Sequence, residues 1–160
     1  MSNPANPNLQ KALIAAALAS GLSVSDLAAE PLNPAPRIPS EQAQALLVYS
    51  TMAALHNAHV TGNYTVLRDL ASPQFANVNS AAHLAEIFSG QRKAKINLGP
   101  VLLYQPMLEK AAFVDNNGHL NLQGFFDTKP MQVKFHLSYQ WTPVGWRVFG
   151  INVAPVKAGS

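Results

Sequence analysis

The chain contains no cysteine. That excludes disulfides, thiolate nucleophiles and cysteine-held zinc, and leaves the compartment open. Charge is scarce: Asp, Glu, Lys and Arg make up 12% of 160 residues, about half the usual ~25%. The formal net charge is +3, and no block of Lys and Arg concentrates it. A nucleic-acid binder clusters such residues on one face, so no nucleic-acid partner is expected. Only Arg92-Lys93-Ala94-Lys95 is locally basic, and it reads as a helix C-terminus, where cations suit the dipole. The apolar run within Lys11–Ser20 is shorter than the ~20 residues that span a bilayer as a helix, so no membrane span is expected. There is no Gly-x-Ser-x-Gly elbow and no phosphate loop, and no cofactor is implied.

Apolar residues, by contrast, make up 48% of the chain, and the length suffices for one domain with its own core. The stretch that organises the rest is His119–Val153, which reads as a β-meander. Asn116-Asn117-Gly118 is a tight turn signal. Leu120, Leu122, Gly124 and Phe126 then alternate with His119, Asn121, Gln123, Phe125 and Asp127, and Val133, Phe135, Leu137, Tyr139 and Trp141 alternate with polar neighbours throughout. Strict period two means one buried face and one wet face. Continuing that phase assigns Trp146, Val148, Gly150 and Asn152 to the inner face. Phe125, Phe149, Ile151 and Val153 fall on the outer face, where an apolar patch would suit a homodimer. Thr142-Pro143-Val144-Gly145 is the next turn. Short connections imply antiparallel pairing, and Met107–Val114 adds an edge strand across the Asn-Asn-Gly turn.

Upstream, residues 1–39 form a separate segment. A lysine before a short apolar run resembles a secretory signal peptide, which would direct the chain outside the cytoplasm. The alternative is a short amphipathic helix, capped by Asn8, packed on a cytoplasmic domain. Pro31, Pro34, Pro36 and Pro39 then make an extended linker. The domain proper spans 40–155, with 156–160 as a tail. Ser40 is a good N-cap for a long helix over Ala43–Val60, whose stripe of Leu46, Ala53 and Val60 carries Tyr49, Ser50 and Asn57 beside it. Thr61-Gly62-Asn63 stops it. A short helix follows with Tyr64, Leu67 and Leu70 at helical spacing, closed by Pro73. A third runs over Ala81–Gln91, capped by Ser80, with Leu84, Ile87 and Phe88 inward. Lys95–Leu98 reads as a short strand.

These residues point to an apolar, aromatic hollow with few polar groups, the usual make-up of a small-molecule pocket and also of an ordinary core. Its candidate lining is Tyr49, Ser50, Asn57, Phe126, Phe135, Tyr139, Trp141, Trp146 and Asn152. None is acidic. Glu109 and Asp127 lie out of phase or near strand ends, so a bulge would be needed to turn one inward, and no catalytic residue is assigned. His56 and His59, three apart on a helix, are too few to define a metal site and read as exposed.

Long helix, short helix, third helix, then a meander ending in Trp-x-Val resembles the nuclear transport factor 2-like superfamily. Ala58-His-Val-Thr-Gly62-Asn63-Tyr-Thr-Val-Leu67 and Trp146-Arg147-Val148 with Gly150-Ile151 carry the likeness over about 40–153. Asn63 stands where that family has Asp, and Asn caps a helix nearly as well. The resemblance implies an α+β cone, a curved antiparallel sheet wrapped around the long helix, with a pocket at the wide end. It spans isomerases, cyclases, dehydratases and non-catalytic binding or dimerising domains, and fold alone does not choose among them. Without an inward carboxylate, the expectation is non-catalytic binding of a small apolar or aromatic molecule, as a homodimer. An enzyme of the isomerase kind or a purely structural dimerisation domain are the alternatives.

Overall fold

Ser40 Oγ accepts a hydrogen bond from the Ala43 amide at 3.3 Å and opens helix α1, Glu41–Thr61. A computed structural model describes residues 37–157. The N-terminal apolar segment and most of the proline-rich linker lie outside these residues. α1 ends where Gly62 adopts φ 74° and returns its amide to the Ala58 carbonyl at 2.8 Å, a left-handed cap that glycine takes without steric cost.

Asn63 Oδ1 accepts from the Thr65 amide at 3.0 Å and leads into α2, Thr65–Leu70. The sequence predicts that Pro73 closes a helix. Instead it opens one: α3, Pro73–Val78, is capped by Ser72 through the Phe75 amide at 3.2 Å. Proline fits there because the first helical amide has no intrahelical partner to lose. Ser80 caps α4, Ala81–Ile87, and a further short helix, α5, runs over Ser89–Lys93. The single helix predicted over Ala81–Gln91 is thus broken at Phe88. Lys95–Leu98 is not a strand. Lys95 holds φ 54°, and Asn97 Oδ1 accepts from the Gly99 amide at 2.9 Å, a local turn bond that competes with strand pairing. A 3₁₀ turn follows at Gly99–Leu103.

Five strands make one antiparallel sheet: β1, Met107–Leu108; β2, Phe113–Val114; β3, His119–Phe126; β4, Met131–Thr142; and β5, Gly145–Lys157. The described chain is therefore α+β. The order is β1-β3-β4-β5, and β2 shares with β1 the same edge of β3. The predicted edge strand Met107–Val114 is present but interrupted. Four residues, 109–112, separate the Leu108↔Gly124 and Phe113↔Asn121 pairs, against two on β3. The surplus bows outward. At the β2–β3 turn, Asp115 Oδ1 accepts from the amides of Asn117 and His119, both at 2.9 Å, and Gly118 holds φ 80°. Those bonds, that from His119 foremost, hold the Asp115 carboxyl below its usual range.

A second irregularity corrects the face assignment of β5. The β4–β5 register shifts between Ser138 and Tyr139, pairing Ser138 with Gly150 but Tyr139 with Val148. Phe149 is the extra residue of a β-bulge, and beyond it the phase inverts. Val153 is buried and Ile151 packs on the core, while Asn152 is exposed. The apolar outer patch is correspondingly reduced. Phe149 stacks on His119, ring centroids 4.0 Å apart, and Gln123, Lys134, His136, Ser138 and Gln140 occupy the polar face of β3 and β4.

The core lies between the inner face of the sheet and α1. Leu120, Leu122, Phe126 and Leu137 are fully buried, and each such side chain contributes on the order of 1.5–3 kcal/mol. The α1 face turned toward them is Gln44, Val48, Thr51, Met52, Leu55, Ala58 and His59. That corrects the predicted stripe: Leu46 and Val60 are 68% and 70% exposed. Alanines and leucines lie all round this helix, so spacing alone picks no single face. α2 and α3 dock where Ala71 bridges to Val148 and the Ser72 amide donates to the Val148 carbonyl at 2.7 Å.

Candidate functional site

Part of the interior predicted as a hollow is packed with side chains. Phe126, Phe135 and Tyr139 are core residues, 0–2% exposed. The Phe126 ring packs on Phe135 at 5.4 Å and on Tyr49 at 6.2 Å between centroids. Tyr49 also donates its hydroxyl to the Tyr104 carbonyl at 2.8 Å. Asn57 and Asn152 are solvent-exposed, the first because of the rotated face of α1, the second because of the Phe149 bulge. Trp141 and Trp146 form an edge-to-face pair across the β4–β5 turn, 5.3 Å and 72° apart. Three of the predicted residues border an open space. Ser50, Tyr139 and Trp146 line a cleft of about 310 Å³ with Leu47, Thr51, Leu67 and Leu70.

A larger opening lies at the start of α1. A groove of about 600 Å³ runs between the first two turns of the helix and the bowed edge of the sheet. Glu41, Gln44, Ala45 and Val48 line it from the helix, Leu108–Ala112 from the edge, and Ile38 and Pro106 complete the wall. Its size is that of a small-molecule site. The groove exists because of the edge bulge: the Glu109 amide still pairs with the Gln123 carbonyl at 2.9 Å, and the next residues leave the sheet before Phe113 rejoins it.

Gly124 allows the edge to come this close. A Cβ there would fall on the Met107 carbonyl, so glycine is required by close backbone approach.

The chemistry of the lining is mixed. Val48 and Ala45 give an apolar floor. Gln44, itself buried, is held by donating its Nε2 to the Pro39 carbonyl at 2.8 Å. Glu109 Oε1 lies 3.5 Å from Lys134 Nζ, an ion pair at the rim. Glu41 is exposed in the first turn of α1. The interior holds no buried carboxylate among the described residues, as the strand phase predicts, and the two acids belong to the separate groove at the start of α1. The bulge that turns Glu109 toward the groove leaves no mark in the alternation of β3 and β4.

The chain matches no protein-family model, no curated protein and no solved structure.

The groove's chemistry therefore rests on its own side chains. A carboxylate is acceptor-only, so Glu41 and the outer oxygen of Glu109 call for donors on whatever binds. Among the described residues no helix is long and apolar enough to cross a membrane. No group of three or more His, Cys, Asp or Glu among them is placed to hold a metal ion. Sequence spacing also missed the burial of His59, which is 8% exposed and packs 5.6 Å from Phe88 and 6.1 Å from Tyr64 between ring centroids.

Proposed function

We propose that this domain binds a small molecule in the groove between α1 and the bowed sheet edge, without turning it over. The ligand has an apolar or aromatic body for the Val48–Ala45 floor and a donor group, a hydroxyl or amine, for the carboxylates. The observation that carries the reading is the groove itself, about 600 Å³ with an apolar floor and with its charged residues, Glu41, Glu109 and Lys110, all solvent-exposed. An acid or base tuned for proton transfer is usually desolvated. Glu41 is exposed and Glu109 shares its charge with Lys134, an arrangement suited to orienting a ligand.

The order of a long helix followed by an antiparallel meander supports the resemblance to the nuclear transport factor 2-like superfamily. On that reading the sheet curves around α1 as a cone, the groove is its mouth, and the packed aromatic interior sets this member apart. A thermal-shift screen of phenols, aryl amines and apolar alcohols tests the proposal. A true ligand at a hundred times its Kd raises stability by about 2.7 kcal/mol. A flat response across the screen sinks it.

A second reading, assembly into a homodimer, draws on a different feature. Leu103, Met107 and Phe113 are 86%, 52% and 48% exposed on and beside the β1–β2 edge, and an apolar edge strand is a template for pairing. Sizing chromatography at high concentration tests it, and a monomer there rules it out.

A further inference from the structure

We propose a second binding site, for a small oxyanion such as a phosphate or carboxylate group, at the far end of α1 from the groove. A cavity of about 220 Å³ is lined there by His56, His59, Arg92, Lys95 and Asn97, and no acidic residue lines it. Two formal positive charges therefore face a space with no counter-charge in its wall.

Its histidines are unpaired. His59 is 92% buried, and neither of its ring nitrogens has a hydrogen-bond partner; His56 Nδ1 is buried and unpartnered as well. Buried polar groups are satisfied in the great majority of folded proteins, and each exception calls for an explanation such as an absent ion. A neutral imidazole presents one N–H, and an oxyanion is the acceptor that such donors and two cations would share.

The surroundings fix this arrangement. Arg92 Nε donates to the His59 carbonyl at 3.3 Å, and its guanidinium occupies the room left by Gly62, where a Cβ would lie 2.7 Å from Nη2. The His56 ring lies against Gly99, where a Cβ would be 3.2 Å from Cε1. Asn97 commits its Oδ1 to the Gly99 amide, which leaves its amide nitrogen as the end able to donate. A metal cation is the wrong occupant, because Arg92 and Lys95 would repel it.

The test follows histidine Cε1–H resonances of the full chain by NMR. Inorganic phosphate, acetate and chloride are titrated separately at equal ionic strength. Saturable shifts at His56 and His59 with phosphate, acetate or both, and not with chloride, are expected. A phosphate-only response assigns a phosphoryl group, an acetate-only response a carboxylate. Arg92→Gln and Lys95→Asn are each expected to weaken binding roughly tenfold, the size of one charge-assisted hydrogen bond lost. Asn tolerates the left-handed backbone at 95, so that variant keeps the loop even if Arg92→Gln disturbs the end of α1. No shift, an equal shift with chloride, or undiminished binding in both variants overturns the proposal.

Discussion

Tyr139 on β4 and Thr51 on α1 meet through their hydroxyls at 3.0 Å in the buried core. Thr51 Oγ1 also donates to the Leu47 carbonyl at 2.9 Å, so its single proton is spent and the Tyr139 O–H donates to it. Burial, only partly offset by this bond, raises the Tyr139 hydroxyl well above its ordinary pKa. The pair is asymmetric. Thr51→Val leaves the Tyr139 hydroxyl buried without an acceptor, which costs about 1–3 kcal/mol. Tyr139→Phe removes the donor and leaves Thr51 satisfied, costing about 0.5–1.5 kcal/mol. The double variant is expected to lie close to Tyr139→Phe rather than at the sum of the two. Urea denaturation of the three variants measures this, and simple additivity contradicts the assignment of donor.

Gly124→Ala tests whether close approach at the sheet edge creates the groove. The new methyl meets the Met107 carbonyl, which belongs to backbone and has no rotamer to move. A cost of about 1–3 kcal/mol is expected, as for overpacking. The loss should be local, with hydrogen exchange speeding at the Glu109 amide while the amides shared by β3 and β4 stay protected. Uniform loss of protection would show that the edge folds as one unit with the rest.

Much of this fold is legible in the residues. Ser40, Ser80, Asn63 and Gly62 announce their helix ends, and strict alternation from Val133 to Trp141 gives β4 its inner face. The faults fall at irregularities. In β5 the clue is present. Trp146 and Val148 are even, Ile151 and Val153 odd, and Gly150 stands between them, where an isolated strand glycine signals a bulge. In α1 the larger side chains Val48, Met52 and Leu55 already sit at spacings of four and three, but alanines on every side obscure them. The groove was not legible. It depends on two surplus edge residues and on backbone proximity at Gly124, neither of which has a period.

Ala45 lines the groove from the second turn of α1 and is half-buried. Ala45→Phe places a ring in that space without removing a core contact, and costs less than ~0.7 kcal/mol in helix propensity. A compound that stabilises the native chain through the groove is expected to lose its effect in this variant. Glu109→Gln removes a charge but keeps an acceptor oxygen, so it should weaken an amine ligand and spare an alcohol. The ligand-induced change in Tm of each variant reads both outcomes. A compound that stabilises Ala45→Phe as well as the parent chain binds elsewhere.

His59 makes stability depend on pH with a defined sign. Burial, then the Arg92 charge and then His56, hold its pKa below 6.5, and it packs against Tyr64 and Phe88. Once unfolded, the same imidazole takes up its proton at about 6.5. In the window between the folded and unfolded values the unfolded chain binds more protons, so stability falls as pH falls. Its contribution is complete above about 6.5 and declines below. His59→Leu has no proton to gain there. It also removes two buried, unpartnered nitrogens, and replacing such a group by an apolar one of similar size is close to neutral. In amine buffers balanced with chloride, its Tm is expected to match or exceed that of the parent below the window, and to change less with pH across it. Parallel pH profiles for the two proteins would show that His59 titrates in the fold as freely as in the unfolded chain.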